Sequence, residues 1–246
     1  MRKHPYLFPL FATVLAAFTM AVVGRADDDD DDGRGRRAAL PFSGIDFFFE
    51  LNATDEDLGV QLCLGADPWK RLRIYDPCGR KILDVAGKDS LKEFGLASLF
   101  FESAEPSFDE VPMEDVLELF PEGEYSFVGR TVEGDRLFGT AMLTHDLPDA
   151  AAICSPAEDE IVDPEEVVVT WSAVTTPAGI HIESYQVIVT NDEDPRFEYN
   201  VRVSADTTSL SVPAEFFEPE TEYELEILAV EESGNQTISV LFFRTE

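Results

Sequence analysis

Histidines, cysteines and a large excess of carboxylates are the residues of this chain with chemistry to offer. His145 and His181 are the histidines beyond the apolar N-terminal stretch. One lies at an expected strand end in Thr144-His145-Asp146, the other in a loop, and no Ser or Cys motif accompanies either. They read as surface or structural histidines. There is no Gly-x-Ser-x-Gly, no paired metal-ligand histidines and no phosphate-cradling glycine loop. Cys63, Cys78 and Cys154 are odd in number and match no metal spacing. Bridging Cys63 to Cys78 would need Cα atoms within roughly 7 Å, and if their strands are hairpin neighbours Cys78 falls several residues past the position opposite Cys63. Stability therefore has to come from packing rather than a disulfide framework. With 50 acidic residues, carboxylate pairs at glycosidase spacing are too common to discriminate.

The loop Asn52-Ala53-Thr54-Asp55-Glu56-Asp57-Leu58-Gly59 gathers oxygen ligands that could hold calcium. It lacks the EF-hand spacing and its terminal bidentate glutamate, and an ordinary polar turn competes. Trp69, at the expected tip of a hairpin, is the best candidate anchor for a sugar; packing against its own sheet is the alternative. Phe216-Phe217 is a second aromatic pair of this kind. Asn52-Ala53-Thr54 and Asn235-Gln236-Thr237 match glycosylation sequons. No catalytic, cofactor-binding or metal-binding residue is assigned, and the expectation is a protein that is not an enzyme.

Charge narrows the partners. Fifty acidic residues face eighteen basic ones, a net charge of -32. Such a surface repels phosphate backbones and anionic lipid heads, which argues against nucleic acid and against a membrane partner. The acids are spread along the chain and read first as solvated surface. The N-terminus reads as a signal peptide over residues 1–26: Arg2 and Lys3, then an apolar stretch from Tyr6 to Val23 broken by Pro9, Thr13 and Thr19, then Gly24-Arg25-Ala26. An uncleaved anchor is the competing reading. Residues 27–41 read as a disordered linker, six aspartates from Asp27 to Asp32 followed by Gly33-Arg34-Gly35-Arg36-Arg37. These features predict a secreted or periplasmic protein.

The elements that would position any site are strands. A composition of 44% hydrophobic residues supplies two small cores. Residues 42–148 form the first. Ile45 to Leu51 opens it, Val60, Leu62 and Leu64 alternate, Leu72 and Ile74 alternate again, and Lys81 to Val85 follows the turn Asp76-Pro77-Cys78-Gly79. Two short helices interrupt this pattern. Ser90 and Glu93 make a capping box before Leu91 and Phe94, with Gly95 as the stop. Pro112 leads into Met113, Val116, Leu117 and Phe120, a stripe suited to core contact. A hairpin turning at Glu133-Gly134-Asp135 closes the region, and residues 149–155 are a connector.

Residues 156–246 carry about seven strands. Val167, Val169 and Trp171 share a face, as do Tyr185, Val187 and Val189, and then Phe197, Tyr199, Val201 and Val203. Tyr223, Leu225, Ile227 and Ala229 point inward, with Glu224 and Glu226 toward water. The proline-rich start, Trp171, the Glu183-Ser184-Tyr185-Gln186-Val187 strand and the corner from Phe216 to Tyr223 resemble fibronectin type III domains over about residues 152–246. The resemblance implies a two-sheet sandwich whose Tyr223 ring fills core while its hydroxyl bonds nearby backbone. The loop Glu232-Ser233-Gly234-Asn235 lacks the Arg-Gly-Asp tripeptide by which some members bind receptors. Phe120-Pro121-Glu122-Gly123-Glu124-Tyr125 echoes that corner, its tyrosine 98 residues before Tyr223. The first region is accordingly expected to be a second immunoglobulin-like sandwich with a helical insertion. It also looks like the N-terminal part of exported bacterial proteins that carry a fibronectin type III domain. The fold expected is mostly β, two immunoglobulin-like or fibronectin type III-like sandwiches in tandem. The function expected is a secreted structural or protein-interaction module with an unidentified protein partner. A carbohydrate-binding accessory protein and an enzyme with an unrecognised site in the first region are the alternatives.

Overall fold

The computed structural model describes residues 38–246. The expected signal peptide and the aspartate run of the linker lie outside the described residues. Among the described residues no helix is long and apolar enough to cross a membrane. The chain is mostly β. Its first half contains β1 (Gly44–Asn52), β2 (Asp57–Tyr75), β3 (Lys81–Ala86), α1 (Asp89–Phe94), β4 (Leu96–Glu102), α2 (Met113–Leu119), β5 (Gly123–Thr131) and β6 (Arg136–Leu143).

The long strand β2 organises this half. Its first part pairs with β1 on one side and β4 on the other; its second part pairs with β3 and β5, and β5 pairs with β6. A hairpin tip at Asp67-Pro68-Trp69 was expected here, and the chain instead runs straight through. Pairing with β4 jumps from Gly65–Ser98 to Trp69–Leu96, and pairing with β5 begins at Trp69–Thr131. Pro68, with no N–H to donate, sits where the partners change, an irregularity that tolerates proline. Its carbonyl accepts from Val132 N. The sheet folds back on itself, so Phe47 of β1 meets the rings of Tyr125 at 4.9 Å and Phe127 at 6.0 Å. Val60, Leu62, Leu64, Trp69, Leu72 and Ile74 fill the core between. Trp69 is 0% exposed; of its two readings, a sugar-binding anchor and packing against its own sheet, the structure gives the packing.

The helices differ in how well they follow their sequence signals. In α2, Val116 is buried and Met113, Leu117 and Phe120 pack against the core, as the stripe required. In α1 the cap is Lys88, not Ser90, and no side chain caps it. Leu91 and Phe94 are exposed rather than buried. Gly95 does close the helix, at φ +87°, with its N–H bonded to Leu91 O. The strand β4 had no expectation attached to it. At the N-terminal edge, Leu40 N donates to Arg136 O and Phe138 N donates to Leu40 O. The last residues of the expected linker are thus part of the fold, because Leu40 and Phe42 have a core to join.

The second half contains β7 (Ile153–Ser155), β8 (Ile161–Val162), β9 (Val168–Trp171), β10 (Ile182–Asn191), β11 (Glu198–Ser204), β12 (Ser209–Ser211), β13 (Glu222–Glu231) and β14 (Gln236–Thr245). A small sheet β12-β9-β7 faces β11-β10-β13-β14 across a core that includes Trp171, Tyr185, Tyr223 and Phe243. Trp171 meets Tyr185 edge-on at 5.5 Å. Tyr223 is buried, and its hydroxyl accepts from Glu218 N at 2.7 Å. At the echo corner Tyr125 is also fully buried, but its hydroxyl donates to Pro121 O at 3.1 Å. The expected connector contains β7, and its Ala151 is buried.

The two halves share one sheet. β1 pairs in parallel with β14, Glu50 opposite Gln236 and Asn52 opposite Ile238, giving the strand order β11-β10-β13-β14-β1-β2-β5-β6.

Candidate functional site

The seam between β1 and β14 is fastened by a few buried polar groups. Asn235, in the turn before β14, is 1% exposed. Its Oδ1 accepts from Phe49 N at 2.8 Å, and its Nδ2 lies 3.1 Å from Thr144 O, 3.0 Å from Thr144 Oγ1 and 3.0 Å from Asp146 O. One amide thereby ties β1, β14 and the end of β6 together. Thr237 Oγ1 donates to Pro148 O at 2.6 Å and Ser239 Oγ to Ala151 O at 2.7 Å, which fixes the connector to β14. The Asn235 sequon is inaccessible in this fold. On the outer face, Leu228, Val230, Ile238 and Ile188 form a separate small apolar cluster.

Beside this seam lies a cluster of carboxyl groups. Strand pleating puts Phe48, Glu50 and Asn52 on the face opposite the core residues Phe47 and Phe49. Glu50 stands between Gln236 of β14 and Gly59 of β2 in register. Its Oε1 accepts from Gln61 Nε2 at 2.5 Å and its Oε2 from Gln236 Nε2. Glu102, at the end of β4, pairs opposite Gln61. Glu105 follows, and its side chain occupies the space that glycine leaves at position 59: a Cβ there would stand 2.3 Å from Glu105 Oε1. One carboxylate oxygen each from Glu50, Glu102 and Glu105 lies within 4.8 Å of the others. Asp57 completes the group from the start of β2. Asp57 Oδ1 and Glu105 Oε1 are fully buried and have no hydrogen-bond partner.

The electrostatics follow from crowding like charges where water is scarce. Burial, then the charges of Glu102, Glu50 and Asp57, pushes Glu105 up to about 8. Glu50 keeps some solvent-accessible surface but is ringed by protein atoms. Burial raises it to about 7 despite the opposing bonds from Gln236 and Gln61. Asp57 is raised to about 6 by burial, Asp55 and Glu102. Glu102 is raised by burial. Glu226 on β13 is also raised, by burial and then by Glu224, with a contribution from Glu50. It lies half-buried on the face away from the core, in register with Val240 of β14. Such a cluster can store protons near neutral pH. Glu50, Glu102 and Glu105 are also the residues that could hold a metal, and their all-oxygen donor set suits a hard cation.

The other sequence candidates separate. In the Asn52–Gly59 loop, Asn52 Oδ1 accepts from Thr54 N at 3.0 Å and Asp55 N at 3.1 Å, the work of a polar turn. Of its residues only Asp57 joins the cluster. Phe217 is buried, and Phe216 stacks among Phe197, Tyr199 and Tyr223. His145 Nε2 is 2.9 Å from Phe120 O and its ring sits edge-on to Phe49 at 5.6 Å. His181 contributes its carbonyl to Glu232 N. The three cysteines are free. Sequence reasoning missed Glu50, Glu102 and Glu105. Their signal would have been a carboxylate on an otherwise alternating strand face, which is invisible until β14 and β4 are known to be its neighbours.

No protein-family model matches the chain, and no curated protein matches it. Solved structures that resemble it include the chicken CNTN1 FN1-FN3 domains, 16% identical over 85% of this chain and 65% of that one, with a TM-score of 0.33. A computer-redesigned β sandwich protein is 24% identical over 42% of this chain and 96% of that one, with a TM-score of 0.31. A tetra-tandem repeat from the extending region of a large adhesion protein is 12% identical over 82% of this chain and 50% of that one, with a TM-score of 0.30.

Proposed function

We propose that the chain is a secreted, non-enzymatic structural or protein-interaction protein, made of two tandem immunoglobulin-like or fibronectin type III-like β units joined into one stiff body. The observation that carries this reading is the parallel β1–β14 pairing with Asn235 at its end. A hinge between units needs few contacts across it; here a continuous sheet, a buried amide and a fastened connector cross it. Such a joint holds two surfaces at a fixed separation, which suits a spacer or a bivalent binding protein. The carbohydrate-binding alternative loses its anchor with Trp69 in the core.

The test is capture with the full chain as bait from periplasm and culture medium, alongside small-angle scattering. A structural or interaction role gives a saturable protein partner and a scattering profile that matches one rigid arrangement. Turnover of a substrate by the purified chain, or a profile that requires a mixture of inter-unit angles, overturns it.

A further inference from the structure

The outer face of the first half carries an arrangement of charge at odds with the rest of the molecule. Arg71 of β2 stands opposite Arg130 of β5, and Arg130 opposite Arg136 of β6. Three guanidinium groups thus form one row on three neighbouring strands, with Arg73 two residues further along β2 on the same face. Leu72, Gly129 and Leu137 turn to the core side. Like charges directly opposite on a sheet are destabilising, and a chain with 50 acidic residues had ample means to alternate them. Asp84 pairs with Arg71 at 2.7 Å, Lys81 at 2.8 Å and Arg73 at 3.4 Å. Arg130 Nη1 donates to Gly134 O at 2.8 Å, and the Arg136 guanidinium lies 5.8 Å from the Phe138 ring centroid. Asp135 is in the adjacent turn. Around Val128 the four arginines line one shallow groove.

We propose that this arginine row is the docking site for the chain's own Asp27–Asp32 run, an intramolecular strap that occupies the basic face. The chain joins the fold beside the row, since Leu40 N donates to the carbonyl of Arg136 itself. Leu40 lies eight positions after Asp32. At about 3.3 Å per residue that stretch reaches about 26 Å, while a row across three strands spans about 10 Å. A free polyanion must approach a molecule with a net charge of -32, against its long-range field. The tethered run meets that approach cost only once, at a local concentration on the order of millimolar. Gly33 to Arg37 carries three arginines of its own; pairing of the aspartates with these alone would leave the row untouched, and the test separates the two.

The experiment compares amide and arginine side-chain NMR spectra of the chain from residue 27 onward with those of a variant having all six aspartates replaced by asparagine. Shifts concentrated at Arg71, Arg73, Val128, Arg130, Arg136 and Phe138, erased by molar salt and independent of protein concentration, are expected. They should also vanish in an Arg71→Gln, Arg130→Gln, Arg136→Gln variant that melts like the parent. A labelled hexa-aspartate peptide should bind the asparagine variant about tenfold more tightly than the parent, the factor set by displacing a tethered competitor. Shifts confined to residues 33–37, shifts that grow with protein concentration, or equal peptide affinity for the two chains overturn the proposal.

Discussion

Stability of this protein should fall as pH rises from about 5 to about 8, and the Glu105→Gln substitution should flatten the fall. Glu50 and Glu105 have folded-state values near 7 and 8, above their ordinary 4.5. A group raised on folding binds its proton more tightly in the folded state, so its contribution is complete below the unfolded value. The contribution is lost as pH climbs through the folded one. For Glu50, a rise from 4.5 to about 7 corresponds to a ceiling of about 3 kcal/mol. The solvent access that remains, and the sharing of protons within the cluster, reduce the observable loss to about 1–2 kcal/mol. For a chain of this size that is roughly 2–8 °C in melting temperature. The carboxylates held low by basic partners do not interfere. Asp84, bonded to Arg71 and Lys81, and Asp194, bonded to Arg196, lose their contribution only at acid pH, as pH falls through their depressed values. In Glu105→Gln the amide keeps the shape that fills the space beside Gly59. It also brings a donor toward the neighbouring carboxylates. It should match the wild type at about pH 5 and exceed it by about 1 kcal/mol at about pH 8. The assay is urea unfolding followed by tryptophan fluorescence at both pH values. Wild-type stability that is flat or rising over this interval, or equal destabilisation by Glu105→Gln at both pH values, would refute the reasoning.

Other perturbations probe the joint and the core. Asn235→Ala removes the acceptor for Phe49 N and the donor shared by Thr144 and Asp146. Leaving such buried groups unpaired should cost about 3–5 kcal/mol, and calorimetry should then resolve two transitions in place of one. Trp69→Ala should cost about 3–5 kcal/mol as a core deletion, measured by denaturant titration, while leaving glycan-array signals as they were. Gly59→Ala forces Glu105 out of its place and should cost about 1–3 kcal/mol. It should also weaken the pH dependence described above, a coupling that thermal melts across the same interval will show.

What the sequence disclosed and what it withheld have the same physical origin. Strand β13 was legible residue by residue, because Tyr223, Leu225, Ile227 and Ala229 need only the local period of two to reveal which way they face. The two tyrosine corners were legible too, since at each the partner of the buried phenol, Glu218 N or Pro121 O, lies close in sequence. Local pattern fails where burial depends on a neighbour far along the chain. Glu226 obeys the same period as Tyr223 and does face away from the core, yet the sheet continues past β14 into β1, so that face is half-buried rather than open to water. Gly65-Ala66-Asp67-Pro68 has the composition of a turn. It is a crossing point instead, because β3 and β5 offer Trp69 and the strand beyond it a second set of partners once β1 and β4 are used. The chemistry of the cluster was hidden for the same reason: Glu50, Asp57, Glu102 and Glu105 are ordinary surface acids in any one strand. They acquire raised proton affinity only from contacts that three strand pairings create. A carboxylate opposite a glycine on a paired strand is the residual sequence trace. Position 59 has no side chain because Glu105 already fills that space.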